Sequence, residues 1–333
     1  MSEAVDYLFS TRGALSHPVT KLTVGIVVGA LILAPVCTFI LTRLRSISDH
    51  TRKDVWRRYY TWLALVPLIM GPVLLCPATA MAAICIASLL CYREYARATG
   101  LFRFHVLSGI VGTAIIIVTF MCVDNWLRFF LALSPLTITV IAAVSVFPDE
   151  PKGYIQRVSV ASVGFLLLGS GLGHLGYMAN DPNYRPILCV LILCTQLSDI
   201  FAYICGKSFG RRKLFPNTSP NKTLGGHWGA LLITTPLTAY LAHLVFEGTK
   251  MDQIHWLIMF GLIVAAGGQL GDLVLGSIKR DIGIKDMAAT LPGHGGFLDR
   301  FNSLMLVAPA AFHLVNILVG FGAGRAARVL TGS

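Results

Sequence analysis

Two aspartates sit where a carboxylate is costly. Asp199 falls within CTQLSDIFAYIC and Asp272 within GGQLGDLVLG, both inside long apolar stretches. Placing an ionisable side chain at the centre of a membrane span costs about 2.5–3.5 kcal/mol on insertion scales, so it normally faces a wet cavity or a partner. Gln196, Asp199 and Tyr203 share one helical face, and Gln269, Asp272, Gly276 and Lys279 form a stripe running into a charged loop. A structural hydrogen bond between helices would account for either aspartate, but the basic residues directly after Asp272 favour a metal or proton site there. The loop beyond it mixes Lys279, Arg280, Lys285 and Arg300 with Asp281, Asp286 and Asp299. Carboxylates hold hard cations such as Mg²⁺, while Lys and Arg grip phosphate oxygens. The combination suits an anionic substrate bridged by a divalent metal, although a solvated charged loop has the same composition. Gly293, Gly295 and Gly296 flank His294, and such glycines let a backbone come close to phosphate.

The elements that must position these residues are membrane helices. Of 333 residues, 55% are hydrophobic and only 13% charged, against about 25% charged in an average soluble domain. Apolar runs near 22–42, 60–76, 77–92, 105–123, 127–147, 158–178, 186–205, 228–246, 255–276 and 304–321 predict an all-α polytopic integral membrane protein of about nine or ten transmembrane helices. The run at 77–92 is short, so the count could be nine. Residues 1–20 hold Asp6, Arg12 and Pro18 without a continuous apolar core and are not read as a signal peptide. Loops 43–58, 93–103, 149–157, 206–227 and 277–300 carry six, three, two, five and four Lys or Arg, 20 of the 27 in the chain. With ten spans all five loops fall on one side, which the positive-inside rule makes cytoplasmic. The net charge of +11 therefore suits lipid headgroups and anionic substrates, and no nucleic-acid partner is expected. Residues 1–180 read as an N-terminal membrane-helix region with little reactive chemistry. Residues 181–333 read as a C-terminal catalytic membrane region carrying loops 206–227 and 277–300.

Two further signals carry less. Gly171, Gly173 and Gly176 match a dinucleotide fingerprint, but no strand precedes them, and small residues for helix packing explain them. The eight cysteines lie in or beside apolar stretches without metal spacing, so neither a disulfide framework nor a zinc site is expected.

Ser277-x-Lys279-Arg280, then Lys285-Asp286, then Pro292-Gly293-His294-Gly295-Gly296 and Asp299-Arg300 resemble the signature of the phosphatidate cytidylyltransferases, or CDP-diacylglycerol synthases. Upstream, Asp199-x-x-Ala202-Tyr203-x-x-Gly206, Phe209-Gly210 and Ser219-Pro220-x-Lys222-Thr223 are similar to that family's second block. The likeness is strong over about residues 190–303. Three positions depart from it. Asn302 stands where the signature usually ends in Asp, Asn221 where a Lys is common, and Gly225 where a Glu is usual.

The resemblance implies that a lipid phosphate attacks the α-phosphorus of CTP to give a CDP-lipid and pyrophosphate. It implies Asp272 and Asp299 as ligands of Mg²⁺, alone or with a second cation. Lys279, Arg280 and Arg300 would bind phosphates. Ser219, Lys222 and Thr223 would hold a substrate headgroup with Asp199 lining the cavity, and Ser277, Lys285, Asp286, His294, Gly295 and Gly296 would complete substrate binding. The expected partners are CTP, phosphatidate and the bilayer, with a homodimer left open. The expected location is the inner (plasma) membrane, with the site facing the cytoplasm. A CDP-lipid synthase or CTP-dependent kinase acting on another lipid, a transporter and an inactive scaffold are the alternatives. Polar residues crowd one half of the chain, whereas transporters tend to repeat them in both.

Overall fold

The computed structural model describes residues 2–43, 49–293, 295–322 and 328–332. Its helices are α1 (Ser2–Leu8), α2 (Pro18–Arg43), α3 (Asp49–Leu75), α4 (Pro77–Ala98), α5 (His105–Val123), α6 (Leu127–Val144), α7 (Tyr154–Gly164), α8 (Leu172–Met178), α9 (Tyr184–Phe209), α10 (Leu224–Phe246), α11 (Ile254–Asp281), α12 (Leu298–Phe301) and α13 (Leu304–Leu318). A π-helical stretch, Phe165–Gly171, joins α7 to α8. One antiparallel hairpin, β1 (Lys213–Phe215) with β2 (Ser219–Thr223), stands between α9 and α10. The protein is thus an all-α polytopic membrane protein. Among the described residues nine helical runs are long and apolar enough to cross a bilayer.

The run expected at 77–92 is α4, which falls outside those nine because its last turns carry Arg93, Glu94 and Arg97. Contacts of α4 and of the helix before it nevertheless fix its course. Thr61 of α3 donates to the carbonyl of Pro292 at 2.9 Å, while Glu94 of α4 accepts from the Phe297 and Leu298 amides at 3.0 and 2.9 Å. Both helices therefore reach the same loop, and α3 and α4 form a hairpin that crosses the molecule and returns. The bend between them follows from sequence. Pro77 opens α4 without needing a partner for an N–H, and Thr79 Oγ1 accepts from the Cys76 amide at 3.1 Å. The orphan carbonyls ending α3 are taken by the buried Arg185 of α9, which donates to Leu74 and Leu75 at 3.1 and 2.9 Å.

The basic loops gather at the other end. Arg57 lies against Gly293, Lys222 pairs with Asp272, and the Arg157 guanidinium lies 5.7 Å from the Phe104 ring centre. Two loops are shorter than their apolar boundaries predicted. α9 continues to Phe209 and α11 to Asp281, because helices extend past the hydrocarbon wherever polar residues can carry the next turn.

Close helix crossings brace this end. A Cβ on Gly226 of α10 would lie 2.4 Å from the Ala202 carbonyl of α9. One on Gly225 would lie 2.9 Å from the Phe209 carbonyl. Gly225, which departs from the family pattern, therefore occupies a position where α10 meets backbone. Gly171 and Gly173 likewise pack against the Met305 backbone and the Val118 side chain.

Candidate active site

A cavity of about 320 Å³ opens among α9, the hairpin, α10, α11 and α12. Gln196, Asp199 and Tyr203 line it, so the face expected from their spacing does point into one space. The hairpin closes a second wall with Ser219, Asn221, Lys222 and Thr223. Pairing of Lys213 with Thr223 and of Phe215 with Ser219 fixes that wall. Thr223 also caps α10, its hydroxyl accepting from the Gly226 amide at 3.2 Å. α11 supplies Gln269 and Asp272, and the α12 segment supplies Asp299, Arg300 and Asn302.

Asp272 is held on both sides. One oxygen pairs with Lys222 Nζ at 2.7 Å, and the other accepts from Asn302 Nδ2 at 2.7 Å. Lys222 also donates to the Gln269 carbonyl at 3.2 Å, and Gln269 Oε1 lies 2.6 Å from His227 Nδ1. The next residue after Asn302, Ser303, donates to Asp199 Oδ2 at 3.4 Å. Residues 302 and 303 thus draw the two intramembrane aspartates to one wall.

Asp299 works differently. Its Oδ1 pairs with Lys279 at 2.8 Å, with both side chains largely buried. Its Oδ2 accepts from the amides of Met287 at 3.1 Å and Gly296 at 2.9 Å. Glu94 holds the neighbouring amides of Phe297 and Leu298 and accepts from Thr290 Oγ1. Four consecutive or nearby N–H groups are therefore satisfied by two buried carboxylates. A Cβ on Gly296 would stand 2.5 Å from Glu94 Oε2, and Gly295 adopts φ +79° beside Asp299 and Asp286. The close approach that these glycines permit is made here by carboxylates, where the sequence pointed to phosphate.

A second cavity, of about 1100 Å³, lies on the other side of Arg300. Arg57, Arg58, Trp62, Lys285, Asp286, Pro292, Gly293 and Gly295 share its lining. Of the residues singled out from sequence, Asp199, Ser219, Lys222, Thr223, Asp272, Asp299 and Arg300 meet in the first cavity, and Lys285, Asp286, Gly295 and Arg300 in the second. Lys279 and Gly296 act through Asp299. Ser277 is exposed and lines neither cavity, nor does Arg280, which donates to the Ile284 carbonyl at the end of α11. His294 lies outside the described residues.

Glu94 was not found from sequence. Its signal was there, since it continues the apolar face of Ala87 and Cys91 at helical spacing, and a buried carboxylate requires partners. His227, Arg57 and Arg58 gave no comparable signal.

Among the described residues no group of three or more His, Cys, Asp or Glu could hold a metal. Mg²⁺ does not need one, because it commonly binds through one or two carboxylates, waters and substrate phosphates. Asp272 with Asp199, beside the amide oxygens of the same cavity, fits that hard-oxygen donor set. Asp299 has one oxygen on Lys279 of α11 and the other on the loop amides of Met287 and Gly296.

A sequence model described as the cytidylyltransferase family matches residues 56–318. The uncharacterized protein YnbB of Escherichia coli (strain K12) is 34% identical over 199 residues, covering 57% of this chain and 65% of that protein. The phosphatidate cytidylyltransferase of Staphylococcus aureus (strain COL) is 38% identical over 168 residues, covering 49% of this chain and 62% of the other. That of Staphylococcus haemolyticus (strain JCSC1435) is 37% identical over 167 residues, with 49% and 62% covered. The chain spans a little under two thirds of the length of these relatives.

Proposed function

The chain belongs to the cytidylyltransferase family, and on that premise we propose that it converts CTP and phosphatidate to CDP-diacylglycerol and pyrophosphate at the cavity around Asp272. The observation that carries this reading is the convergence of three aspartates with Lys222 and Arg300 on one polar space at the end of a membrane bundle. Such a space can receive a polyphosphate from water beside a headgroup from the bilayer.

The chemistry needs little acid–base help. A phosphate oxygen of the lipid, already anionic, forms the new P–O bond to the α-phosphorus of CTP. The bond from that phosphorus to the bridging oxygen breaks, and pyrophosphate leaves with the electron pair. The obstacle is repulsion between two anions, and preorganised cations reduce it where charge develops. Asp272 and Asp199 would hold Mg²⁺, which supplies charge neutralisation to the phosphate oxygens. Lys222 now spends its charge on Asp272, at 2.7 Å. Once Asp272 is engaged by the ion, Lys222 would be free to turn its ammonium towards phosphate. Arg300 stands between the two cavities and would face both anions. The five basic loops are cytoplasmic in this reading, because 20 of 27 Lys and Arg lie in them.

The test is transfer from CTP radiolabelled at either the α or the γ phosphate, with purified protein, Mg²⁺ and phosphatidate vesicles. Label in the lipid from the α position alone is expected. Label from the γ position alone would mean a kinase, and label from neither would end the proposal.

A further inference from the structure

The second cavity has no part in the sequence signature apart from the loop at its floor, and its charge is unusual. Arg57, Arg58, Lys285 and Arg300 line it against a single carboxylate, Asp286. Two of these cations come from α3, in the half of the chain that the sequence left without chemistry. We propose that this cavity is the seat of the lipid acceptor, with Arg57 and Arg58 gripping a lipid phosphomonoester. The proposal rests on the reading above and names the subsite of its second substrate.

Four observations converge on a lipid and not on the nucleotide tail. First, α3 is locked to the catalytic loop, Thr61 donating to the Pro292 carbonyl at 2.9 Å and Arg57 packing on Gly293. The two arginines are therefore held beside the loop by secondary structure. Second, the face of α3 that carries Arg57 continues at helical spacing through Tyr60, Ala64, Pro67 and Leu68, all exposed. Leu68 is 58% exposed and lies within the apolar part of the span. A headgroup on Arg57 and Arg58 would have its acyl chains along this stripe, whereas a nucleotide would leave it uncovered. Third, Trp62 lines the same cavity, and tryptophan favours the boundary between headgroups and hydrocarbon. Fourth, Arg300 lines both cavities. A phosphate held by α3 would then lie across one guanidinium from a nucleotide at Asp272. Guanidinium groups match phosphate oxygens in pairs, and a phosphomonoester offers more charge to them than a phosphodiester does.

The experiment measures binding without turnover, each titrant added alone to the full chain in detergent micelles with Mg²⁺. The titrants are dihexanoyl phosphatidate, dihexanoyl phosphatidylglycerol, pyrophosphate and CTP. Arg57→Ala with Arg58→Ala should weaken phosphatidate binding by about tenfold or more, the loss expected from removing charged hydrogen bonds. CTP and pyrophosphate binding should hold, and Arg57→Lys with Arg58→Lys should lose less. A fall in CTP or pyrophosphate binding instead would assign the cavity to the nucleotide and overturn the proposal. An equal fall for phosphatidylglycerol would make it a general anionic membrane face, and no fall for any titrant would leave it without a ligand; both outcomes overturn it. Both arginines are exposed, so folding should survive, and Lys285→Gln tests the same wall from the loop side if it does not. Absence of labelled lipid from CTP would defeat the cytidylyl reading without touching this binding result, so the two failures are distinguishable.

Discussion

The two cavities that meet at Arg300 are built on opposite principles. The smaller has three aspartates in its wall, two of them already in ion pairs: Asp272 with Lys222 of the same wall, and Asp299 with Lys279 from behind it. The larger has four cations against one carboxylate. An acid-rich cavity attracts a polyphosphate only when cations come with it, whereas a basic one takes a bare phosphate directly. The difference teaches how one site could bring two anions together: each is met by a wall of different charge, and a shared arginine separates them. It also divides the acids by task. Asp272 faces the cavity between groups that a cation could displace, while Asp299 and Glu94 are consumed in holding the loop.

The largest effect should follow from removing that division. Asp272→Asn is expected to lower turnover by more than about 100-fold, since a metal ligand counts for more than its supporting partners, whose loss costs about 10–100-fold. The loop should keep its protection, because Asp272 does not hold it. Asp299→Asn should abolish turnover as well but also open the loop, because Lys279 loses its counter-charge and the amide nitrogen must face either that ammonium or the Met287 and Gly296 N–H groups, from neither of which it can accept. Breaking such a pair costs about 3–5 kcal/mol. Hydrogen exchange over residues 282–298 separates the two variants. Equal exchange in both would erase the distinction between chemical and positioning acids.

Glu94→Gln comes next. The substitution keeps the shape but turns one acceptor into a donor facing the Phe297 or Leu298 N–H. Leaving a buried donor unsatisfied costs about 1–3 kcal/mol, so faster exchange at 296–298 and a fall in kcat/KM of roughly tenfold are expected. Unchanged exchange would show that α4 does not support the loop.

Most of this architecture was legible from sequence, and the reasons for the rest are physical. Spans and the basic end could be read because hydropathy and charge act locally. The faces around Asp199 and Asp272 could be read because helical spacing places i and i+3 together. The α3–α4 contribution could not, because Glu94 and Arg57 meet residues about 200 positions away, and no local pattern reports who will satisfy a buried carboxylate. The glycines misled for a related reason. A Gly-Gly pair announces that something comes close to the backbone, and Gly296 admits Glu94, but the sequence does not say what comes.

Gly225→Glu tests the same lesson on α10. Restoring the family's usual residue adds a carboxylate yet sets a Cβ 2.9 Å from the Phe209 carbonyl. Overpacking of this kind costs about 1–3 kcal/mol. A lower Tm with no gain in turnover is expected, and an unchanged Tm with higher activity would show that α10 can retreat from α9.

Asn302→Asp should have the smallest effect, and it reports on the acid-rich cavity alone. Asn302 Nδ2 now donates to Asp272 Oδ1 at 2.7 Å. An aspartate in its place would set carboxylate against carboxylate, tolerable only with a cation or a proton between them. The variant should therefore lose stability without divalent ions and recover it with them, so that its Tm rises more on adding Mg²⁺ than the parent's does. Turnover at saturating Mg²⁺ should stay within about threefold of the parent, on the ordinary scale of one modest polar contact. Phosphatidate binding at Arg57 and Arg58 should not change, because that cavity gains no charge. Complete loss of activity at saturating Mg²⁺ would mean that Asp272 needs an amide donor, not a neighbouring cation, and the reading of Asp272 as a metal ligand would fail with it.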